Sequence, residues 1–169
     1  MIRALLVASL LALLMPPALA GDPTVVVFVR HAEKADDDPR DPSLSEAGLA
    51  RAGALARTLD GAGLDAAYAT EFRRTQQTAA PAARAAGLEV RVRPAAGTDP
   101  ARYGAALREE VRALPAGSTV LVVGHSNTIP ALVQAVSGQP AAEMPETEYD
   151  RYTVVVLADD GARVITSRY

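Results

Sequence analysis

Two continuous apolar runs stand out along the chain, and both are rich in valine. They cover residues 24–29 and 119–123. A run without polar alternation is typical of a strand that is buried on both faces of a sheet. Shorter apolar segments at residues 66–69 and 88–92 are weaker candidates for two further strands. The pattern therefore predicts a sheet whose central strands are covered on both sides.

Between these runs, apolar residues recur at the spacing of one face of a helix. Four helices are predicted. The first is capped by Ser45 and has Gly48, Ala52, Leu55 and Leu59 on one stripe; the second has Phe72, Gln76, Ala79, Ala83 and Ala86 on one stripe. The third starts at Asp99-Pro100 and has the buried face Tyr103, Leu107, Val111 and Leu114; the fourth starts at Pro130 and ends at Ser137-Gly138. Because proline removes a backbone donor, Pro81 is expected to kink or divide the second helix.

The C-terminal part of the chain has the pattern of a β-hairpin. Residues 152–157 and 162–166 are rich in β-branched side chains, and an Asp-Asp-Gly turn at residues 159–161 separates them. Strands that alternate with helices favour an α/β fold. We therefore expect a three-layer α/β/α sandwich with a mostly parallel central sheet, to which the C-terminal hairpin adds an antiparallel edge.

The first twenty residues differ from the rest of the chain and are typical of a secretory signal peptide. Arg3 precedes an apolar run over residues 4–15, and Ala-Leu-Ala at residues 18–20 forms a cleavage pattern before Gly21. The run is shorter than the ~20 residues that span a bilayer, so no stable membrane anchor is expected. The sequence predicts cleavage near Ala20, export to the periplasm or the medium, and one domain over residues 21–169.

Composition and charge narrow the function. The 169 residues are 49% hydrophobic and carry a net charge of −3, so a disordered chain and a general nucleic-acid binder are both disfavoured. The absence of cysteine excludes disulfides, thiolate catalysis and zinc–cysteine sites. Only two histidines are present, so one chain cannot form a three-histidine metal site. No metal or other cofactor is expected.

Both histidines directly follow the two strongest candidate strands. His31 comes after the first run, with Arg30 beside it, and His125 comes after the run at residues 119–123. Ligands of open α/β sheets bind outside the carboxyl ends of the strands, where a helix beginning within residues 70–75 also brings backbone N–H groups and the two arginines Arg73 and Arg74. Guanidinium groups match phosphate oxygens in geometry and charge. The sequence therefore predicts a phosphate-like anion site.

Four segments in this order resemble the motifs of one family. They are Arg-His-Ala-Glu-Lys at residues 30–34, Leu-Ser-Glu-Ala-Gly at residues 44–48, the segment at residues 70–79, and Val-Gly-His-Ser at residues 123–126. They resemble the histidine phosphatase superfamily in its phosphoglycerate mutase-like branch 1, with Ala32 in place of the usual glycine. The third motif places the phosphate-binding arginine at Arg74 and not at Arg73.

The resemblance implies a metal-independent phosphatase with a small phosphorylated substrate. His31 would attack phosphorus and form a covalent phosphohistidine, while Arg30, Arg74 and His125 bind the phosphoryl oxygens. The nearby Arg30 and Arg74 are expected to lower the pKa of His31 and keep it neutral. The substrate would be a phosphomonoester, a phosphohistidine or a phosphoanhydride.

The proton donor to the leaving group has no single candidate. Many relatives supply a glutamate from the loop after the third strand, but residues 94–99 contain none. Glu33, Glu71 and Asp99 are the alternatives; Glu33 is equally suited to pair with Lys34 or Arg73, and Asp99 equally suits a helix N-cap. Relatives without such an acid prefer good leaving groups such as phosphohistidine or phosphoanhydrides.

Two other functions are compatible with the same residues. One is a non-catalytic phosphate-binding or anion-binding module that has kept the site and lost turnover. The other is a phosphomutase, which is less favoured because the chain is short for insertions that would cover a substrate. Residues 148–150, before the hairpin, are interpreted as structural, with an approach to the anion site as the alternative. The sequence makes no prediction about oligomeric state.

Overall fold

The computed structural model describes residues 21–95 and 97–169. The predicted signal peptide, residues 1–20, lies outside the described residues. The described chain forms, in order, β1 (Thr24–Arg30), α1 (Glu46–Thr58), β2 (Leu64–Ala69), α2 (Arg73–Ala85), β3 (Val90–Val92), α3 (Pro100–Arg112), β4 (Thr119–Gly124), α4 (Ile129–Ser137), β5 (Arg151–Ala158) and β6 (Gly161–Arg168). Within the part described, no helix combines the length and apolar character that a membrane crossing requires.

The six strands form one sheet in the order β3-β2-β4-β1-β5-β6. β1 pairs in parallel with β4, β4 with β2, and β2 with β3. β5 runs antiparallel to β1 and is joined to β6 as an antiparallel hairpin. The predicted architecture is therefore confirmed: a mostly parallel sheet carries an antiparallel hairpin at one edge.

The alternating side chains of β1 enter two different apolar cores. Val26 and Phe28 belong to the core that includes residues of α3 and α4. Val27 and Val29 belong to the core that includes residues of α1 and α2. All four are almost completely buried, and each such side chain contributes about 1.5–3 kcal/mol relative to exposure. Burial on both faces explains why the strand sequence shows no polar alternation.

Two helix boundaries differ from the predicted ones. α2 is continuous from Arg73 to Ala85 with Pro81 inside it, so proline does not divide this helix; the other expected effect, a kink at Pro81, stays a prediction. Burial of Ala79 and Ala82 against the sheet holds the helix together in spite of the lost donor. α4 starts at Ile129, one residue earlier than predicted, which places the following proline in the first turn, where no backbone donor is needed.

Two glycines let backbone segments approach closely beside the carboxyl ends of β1 and β4. A Cβ on Gly48 of α1 would overlap the carbonyl oxygen of Glu33. A Cβ on Gly124 would lie 2.9 Å from Cδ1 of Ile129, at the start of α4. Only glycine allows helices to pack this tightly against the segments that follow the two strands. Local packing therefore fixes the position of the turns that carry both histidines.

Candidate active site

The two histidines lie side by side at the carboxyl edge of the sheet. β1 and β4 are neighbours in register, with Arg30 opposite Gly124. The His31 amide donates to the Gly124 carbonyl over 2.9 Å, and the two imidazole centroids are 5.3 Å apart. Residues 94 positions apart in sequence thus share one site.

A cavity of about 450 Å³ opens at this edge. It contains the four residues that the sequence associates with phosphate, together with one carboxylate, and its lining comprises Arg30, His31, Lys34, Phe72, Arg74, Ala95, Gly97, Thr98, Pro100, His125, Ser126, Asn127, Thr128 and Glu146. Three of these side chains are permanent cations. The lining therefore favours a small, strongly anionic ligand over an apolar one.

The imidazole of His31 is buried, oriented and neutral. Its Nδ1 donates to the Ala32 carbonyl over 2.8 Å, which assigns the proton to Nδ1 and leaves a lone pair on Nε2. Burial lowers the pKa of His31 to about 3; the Ala32 hydrogen bond opposes the shift, and His125, Arg30 and Arg74 add to it. The expected effect of the two arginines is present, but burial is the larger cause.

Ala32 holds His31 in place through its own backbone. The Ala32 amide donates to Thr78 Oγ1 over 3.0 Å, and this hydroxyl donates to the Arg74 carbonyl over 2.7 Å. The methyl group of Ala32 packs with Leu44 and Ala52. Its backbone is outside the left-handed region that favours glycine. The structure therefore accommodates alanine where the family motif has glycine.

His125 is oriented by a chain of two threonine hydroxyls. Thr75 Oγ1 donates to the Phe72 carbonyl over 2.7 Å, so it accepts the Thr70 hydroxyl proton over 2.9 Å. Thr70 Oγ1 in turn accepts the Nε2–H of His125 over 3.1 Å. Burial lowers the pKa of His125 to about 4, with Arg74 contributing. Sequence reasoning did not assign a role to either threonine.

Arg30 connects the segment that carries His31 to the loop before β5. Its side chain is 3% exposed, and NH1 donates to the carbonyl oxygens of Pro145 (3.3 Å), Glu146 and Glu148 (3.5 Å). The guanidinium carbon lies 4.2 Å from the ring centroid of Tyr149, a cation–π contact. Nε is buried without a hydrogen-bond partner among the residues that the structure describes, which is costly unless a ligand oxygen accepts from it.

Arg74 also presents unpartnered donors to the cavity. Its Nε and NH1 are buried and form no hydrogen bond within the described part of the chain, although NH1 lies 3.8 Å from Asp41 Oδ1, an ion-pair distance. The guanidinium carbon is 4.3 Å from the Phe72 ring centroid. Burial lowers the pKa of Arg74, opposed by Asp41 and Glu71. The side chain of Arg73 is 46% exposed, against 14% for Arg74, and does not line the cavity.

The start of α2 is not open to a ligand in the way the sequence suggested. The Arg73 amide donates to Asp41 Oδ1 over 2.9 Å, and the Arg73 guanidinium contacts carboxylates of residues 37, 38 and 41. A carboxylate at a helix N-terminus interacts favourably with the helix dipole. The loop over residues 37–41 thus caps α2 with its own anion, so ligand binding depends on the Arg74 side chain.

Glu33, the first predicted proton donor, is held by a bidentate ion pair. Both carboxylate oxygens accept from Arg51 Nε, over 2.8 and 2.9 Å, and Oε1 also accepts from NH2 over 2.6 Å. This partner lies on α1 and is neither Lys34 nor Arg73. The Arg51 hydrogen bonds lower the pKa of Glu33 and stabilise its ionised form.

The carboxylates of the other two predicted donors accept hydrogen bonds from backbone amides. Glu71 accepts from the Ala95 amide over 2.8 Å, and Asp99 caps α3 by accepting from the Arg102 amide over 3.2 Å. Neither carboxylate lines the cavity that holds His31. Across the described ranges, no group of three or more His, Asp or Glu side chains is arranged to hold a metal ion.

The loop at residues 145–149 approaches the site, although residues 148–150 were interpreted as structural. Glu146 lines the cavity, and the Tyr149 ring lies 6.2 Å from the His31 ring. The reason is topological: β5 is antiparallel to β1, with Tyr152 opposite Val29, so the start of β5 lies at the carboxyl end of β1. The predicted antiparallel hairpin was the signal that could have identified this loop.

Comparison with known proteins agrees with this geometry. The sequence model of the histidine phosphatase superfamily (branch 1) matches residues 26–96. Comparison with curated protein sequences gives no match.

Solved structures with two different functions share the fold. The protein histidine phosphatase SixA in complex with tungstate is 19% identical, with a TM-score of 0.67, 85% of this chain covered and 96% of that one. A mycobacterial glucosyl-3-phosphoglycerate phosphatase is 20% identical, with a TM-score of 0.62 and coverage of 87% and 98%. Its structure with VO3 gives 20% identity, a TM-score of 0.63 and coverage of 86% and 98%. At these identities the likeness establishes the fold alone.

Proposed function

The chain belongs to branch 1 of the histidine phosphatase superfamily, and from this premise we propose that it hydrolyses phosphorylated substrates through a covalent phosphohistidine on His31. Membership of the superfamily supports phosphatase activity in general. The covalent route is supported by the buried, neutral imidazole of His31, which lies beside guanidinium N–H groups without a hydrogen-bond partner among the described residues.

In the proposed first step, Nε2 of His31 attacks the phosphorus atom. The hydrogen bond from Nδ1 to the Ala32 carbonyl keeps the lone pair on Nε2 and becomes stronger as the ring acquires positive charge. The unpartnered donors of Arg30 and Arg74 bind the phosphoryl oxygens, on which negative charge is concentrated in the transition state. Because these donors are already fixed by packing, little reorganisation accompanies the reaction.

In the second step, water attacks the phosphohistidine and releases inorganic phosphate. His125 lies edge-on to His31 and contributes to binding of the phosphoryl group. His125 donates its Nε2–H to Thr70, so Nδ1 is the ring nitrogen that remains for the substrate. A bound phosphate dianion would favour protonation of this Nδ1. Cationic groups thus surround the phosphoryl group in both steps.

The proposed substrate is a small or exposed phosphomonoester, or a phosphohistidine or phosphoanhydride. A cavity of about 450 Å³ with a polar, cationic lining accommodates a phosphoryl group and part of a leaving group. The structurally similar proteins are named for a phosphohistidine and a sugar-linked phosphoglycerate, and two were determined with the oxyanions tungstate and VO3. Oxyanion binding is the property that this site would share with them.

Turnover of an aryl phosphate with a good leaving group tests the enzyme against the binding-module alternative. The purified protein should hydrolyse dinitrophenyl phosphate and acquire an acid-labile, base-stable phosphoryl group when quenched during turnover. His31→Ala should abolish both the turnover and the labelling, whereas Arg40→Ala, an exposed position outside the cavity, should leave both unchanged. Phosphate binding without turnover in the unaltered protein would instead support the non-catalytic module.

We also propose that the protein is exported after cleavage behind Ala20. The Gly21 nitrogen lies 3.2 Å from Asp159 Oδ2. Cleavage would make this nitrogen a charged α-amino group facing a carboxylate, a favourable exposed contact of modest strength. N-terminal sequencing of the protein recovered from outside the cytoplasm should begin at Gly21; a sequence that begins at Met1 would contradict the proposal.

A further inference from the structure

The loop before β5 contributes one acidic residue, Glu146, to the lining of the cavity, and the known motifs do not account for it. Glu146 is the only acidic residue among those that line it within the described chain. We propose that Glu146 is the general acid that protonates the leaving-group oxygen during phosphoryl transfer to His31. This inference rests on the proposed function and names the group that the sequence motifs left unassigned.

The position of Glu146 is fixed through its backbone. Arg30 NH1 donates to the carbonyls of residues 145, 146 and 148. Arg30, which directly precedes His31, therefore also holds the loop that carries Glu146. Tyr149 stacks against the same guanidinium at 4.2 Å. These contacts hold the loop at the cavity while the Glu146 side chain itself remains exposed. A clamped backbone with an exposed carboxyl group suits a proton donor that faces a substrate.

The competing carboxylates are already committed to the protein. Glu33 is bound by Arg51, Glu71 by the Ala95 amide, and Asp99 by the amide of Arg102. By contrast, no hydrogen bond or ion pair to the Glu146 carboxylate exists among the residues that the structure describes. Proton transfer requires a group within reach of the leaving oxygen that can exchange its proton with solvent. Glu146 meets both conditions better than the other three.

The proposed cycle balances in charge and protons. His31 Nε2 forms a bond to phosphorus, the ester P–O bond breaks, and the Glu146 carboxylic acid gives its proton to the departing oxygen, which leaves as an alcohol. Water then attacks phosphorus, the P–N bond breaks, and the Glu146 carboxylate takes the proton of the attacking water. The products are the alcohol and inorganic phosphate, and both side chains return to their starting states.

The substrate itself supplies the reason for Glu146 to enter the cycle protonated. A phosphate dianion and a carboxylate cannot remain ionised at short distance without a large cost, so the pair retains a proton when the substrate binds. Lys34, Arg30 and Arg74 line the same cavity and compensate the remaining charge of the phosphoryl group. The acid is therefore formed in the complex, where it is needed.

The dependence on the leaving group separates an acid from a residue that only shapes the cavity. The variant Glu146→Gln retains size and the backbone carbonyl that Arg30 binds. With a glycerol phosphate, whose alkoxide is a poor leaving group, kcat/KM should fall by ~10²–10³-fold, the usual effect of losing a general acid. With dinitrophenyl phosphate, whose phenolate leaves without a proton, kcat/KM should change by less than about threefold.

Glu143→Gln is the matched control, because this exposed glutamate lies on the same connection but outside the cavity. It should leave kcat/KM for both esters unchanged. Equal losses for both esters in Glu146→Gln, or no loss for either, would overturn the assignment while the phosphohistidine mechanism stands. A leaving-group-dependent loss in Glu71→Gln and not in Glu146→Gln would move the role to Glu71. If the unaltered protein turns over neither ester and forms no phosphohistidine, the proposed function and this inference both fail.

Discussion

The hydroxyl of Thr78 links α2 to the backbone that orients His31, the proposed nucleophile, and Thr78→Val removes this hydroxyl with little change of shape. Thr78 is fully buried; it accepts from the Ala32 amide over 3.0 Å and donates to the Arg74 carbonyl over 2.7 Å. Ala32 in turn accepts from His31 Nδ1. Valine replaces the hydroxyl by a methyl group and leaves the Ala32 amide buried without an acceptor.

The energetic effect follows from this unsatisfied donor. An unpaired buried N–H costs about 1–3 kcal/mol, so the free energy of unfolding of Thr78→Val should fall by that amount. The Ala32 peptide is then expected to rotate towards another acceptor, which displaces its carbonyl from His31. Since a misplacement near 1 Å can cost about 100-fold in rate, kcat/KM should fall by about 10- to 100-fold.

Urea denaturation and steady-state kinetics with dinitrophenyl phosphate measure the two effects. Thr78→Ser is the matched control, because it keeps both hydrogen bonds and loses one buried methyl group, worth about 1 kcal/mol. The serine variant should therefore be less stable than the unaltered protein yet retain its kcat/KM within about twofold. A valine variant that is as active as the serine variant would refute the link from Thr78 through Ala32 to His31.

Three further outcomes are expected. Arg74→Ala should lower kcat/KM by about 10²–10³-fold through loss of phosphoryl contacts, whereas the exposed Arg73→Ala should change it by less than about twofold; equal losses would contradict the motif alignment. Thr70→Val should lower kcat/KM by up to about tenfold because His125 Nε2–H loses its acceptor, with Thr70→Ser restoring activity; an unaffected valine variant would exclude the positioning role. The folded-state pKa values of His31 and His125 are about 3 and about 4, below the unfolded value near 6.5. As the pH falls from 6.5 to 5, the two histidines therefore bind protons in the unfolded chain but not in the folded one. The free energy of unfolding should thus decrease in that pH window, by at most about 1.4 kcal/mol per pH unit for each histidine. His125→Gln should reduce this pH dependence, measured by urea denaturation. An unchanged pH dependence would show that His125 titrates normally.

Much of the site was predictable because its key residues occupy defined positions on regular elements. A histidine that directly follows a buried parallel strand must lie at the carboxyl edge of the sheet, so His31 and His125 were assigned to one region from sequence alone. The resemblance to the family motif assigned the phosphate-binding role to Arg74 and not to Arg73. These inferences required no knowledge of side-chain packing.

The missing parts are those that depend on contacts distant in sequence. The loop carrying Glu146 reaches the site only because β5 pairs antiparallel with β1, and its Arg30 contacts span more than one hundred residues. Glu33 looked equally suited to several cations, and the docking of α1 selected Arg51. Hydrogen bonding by Thr70 likewise follows from the placement of β4 beside β2.

The sequence by itself determined the order of strands and helices, the phosphatase motifs and the identity of the two histidines, because hydrophobic periodicity and motif spacing are local properties. Tertiary structure alone decided which nitrogen of His31 carries the proton, which partners the carboxylates of Glu33, Glu71 and Asp99 bind, and which acidic residue lines the cavity. Those properties depend on burial and on partners brought together by sheet pairing and helix docking, and neither is encoded within any short segment.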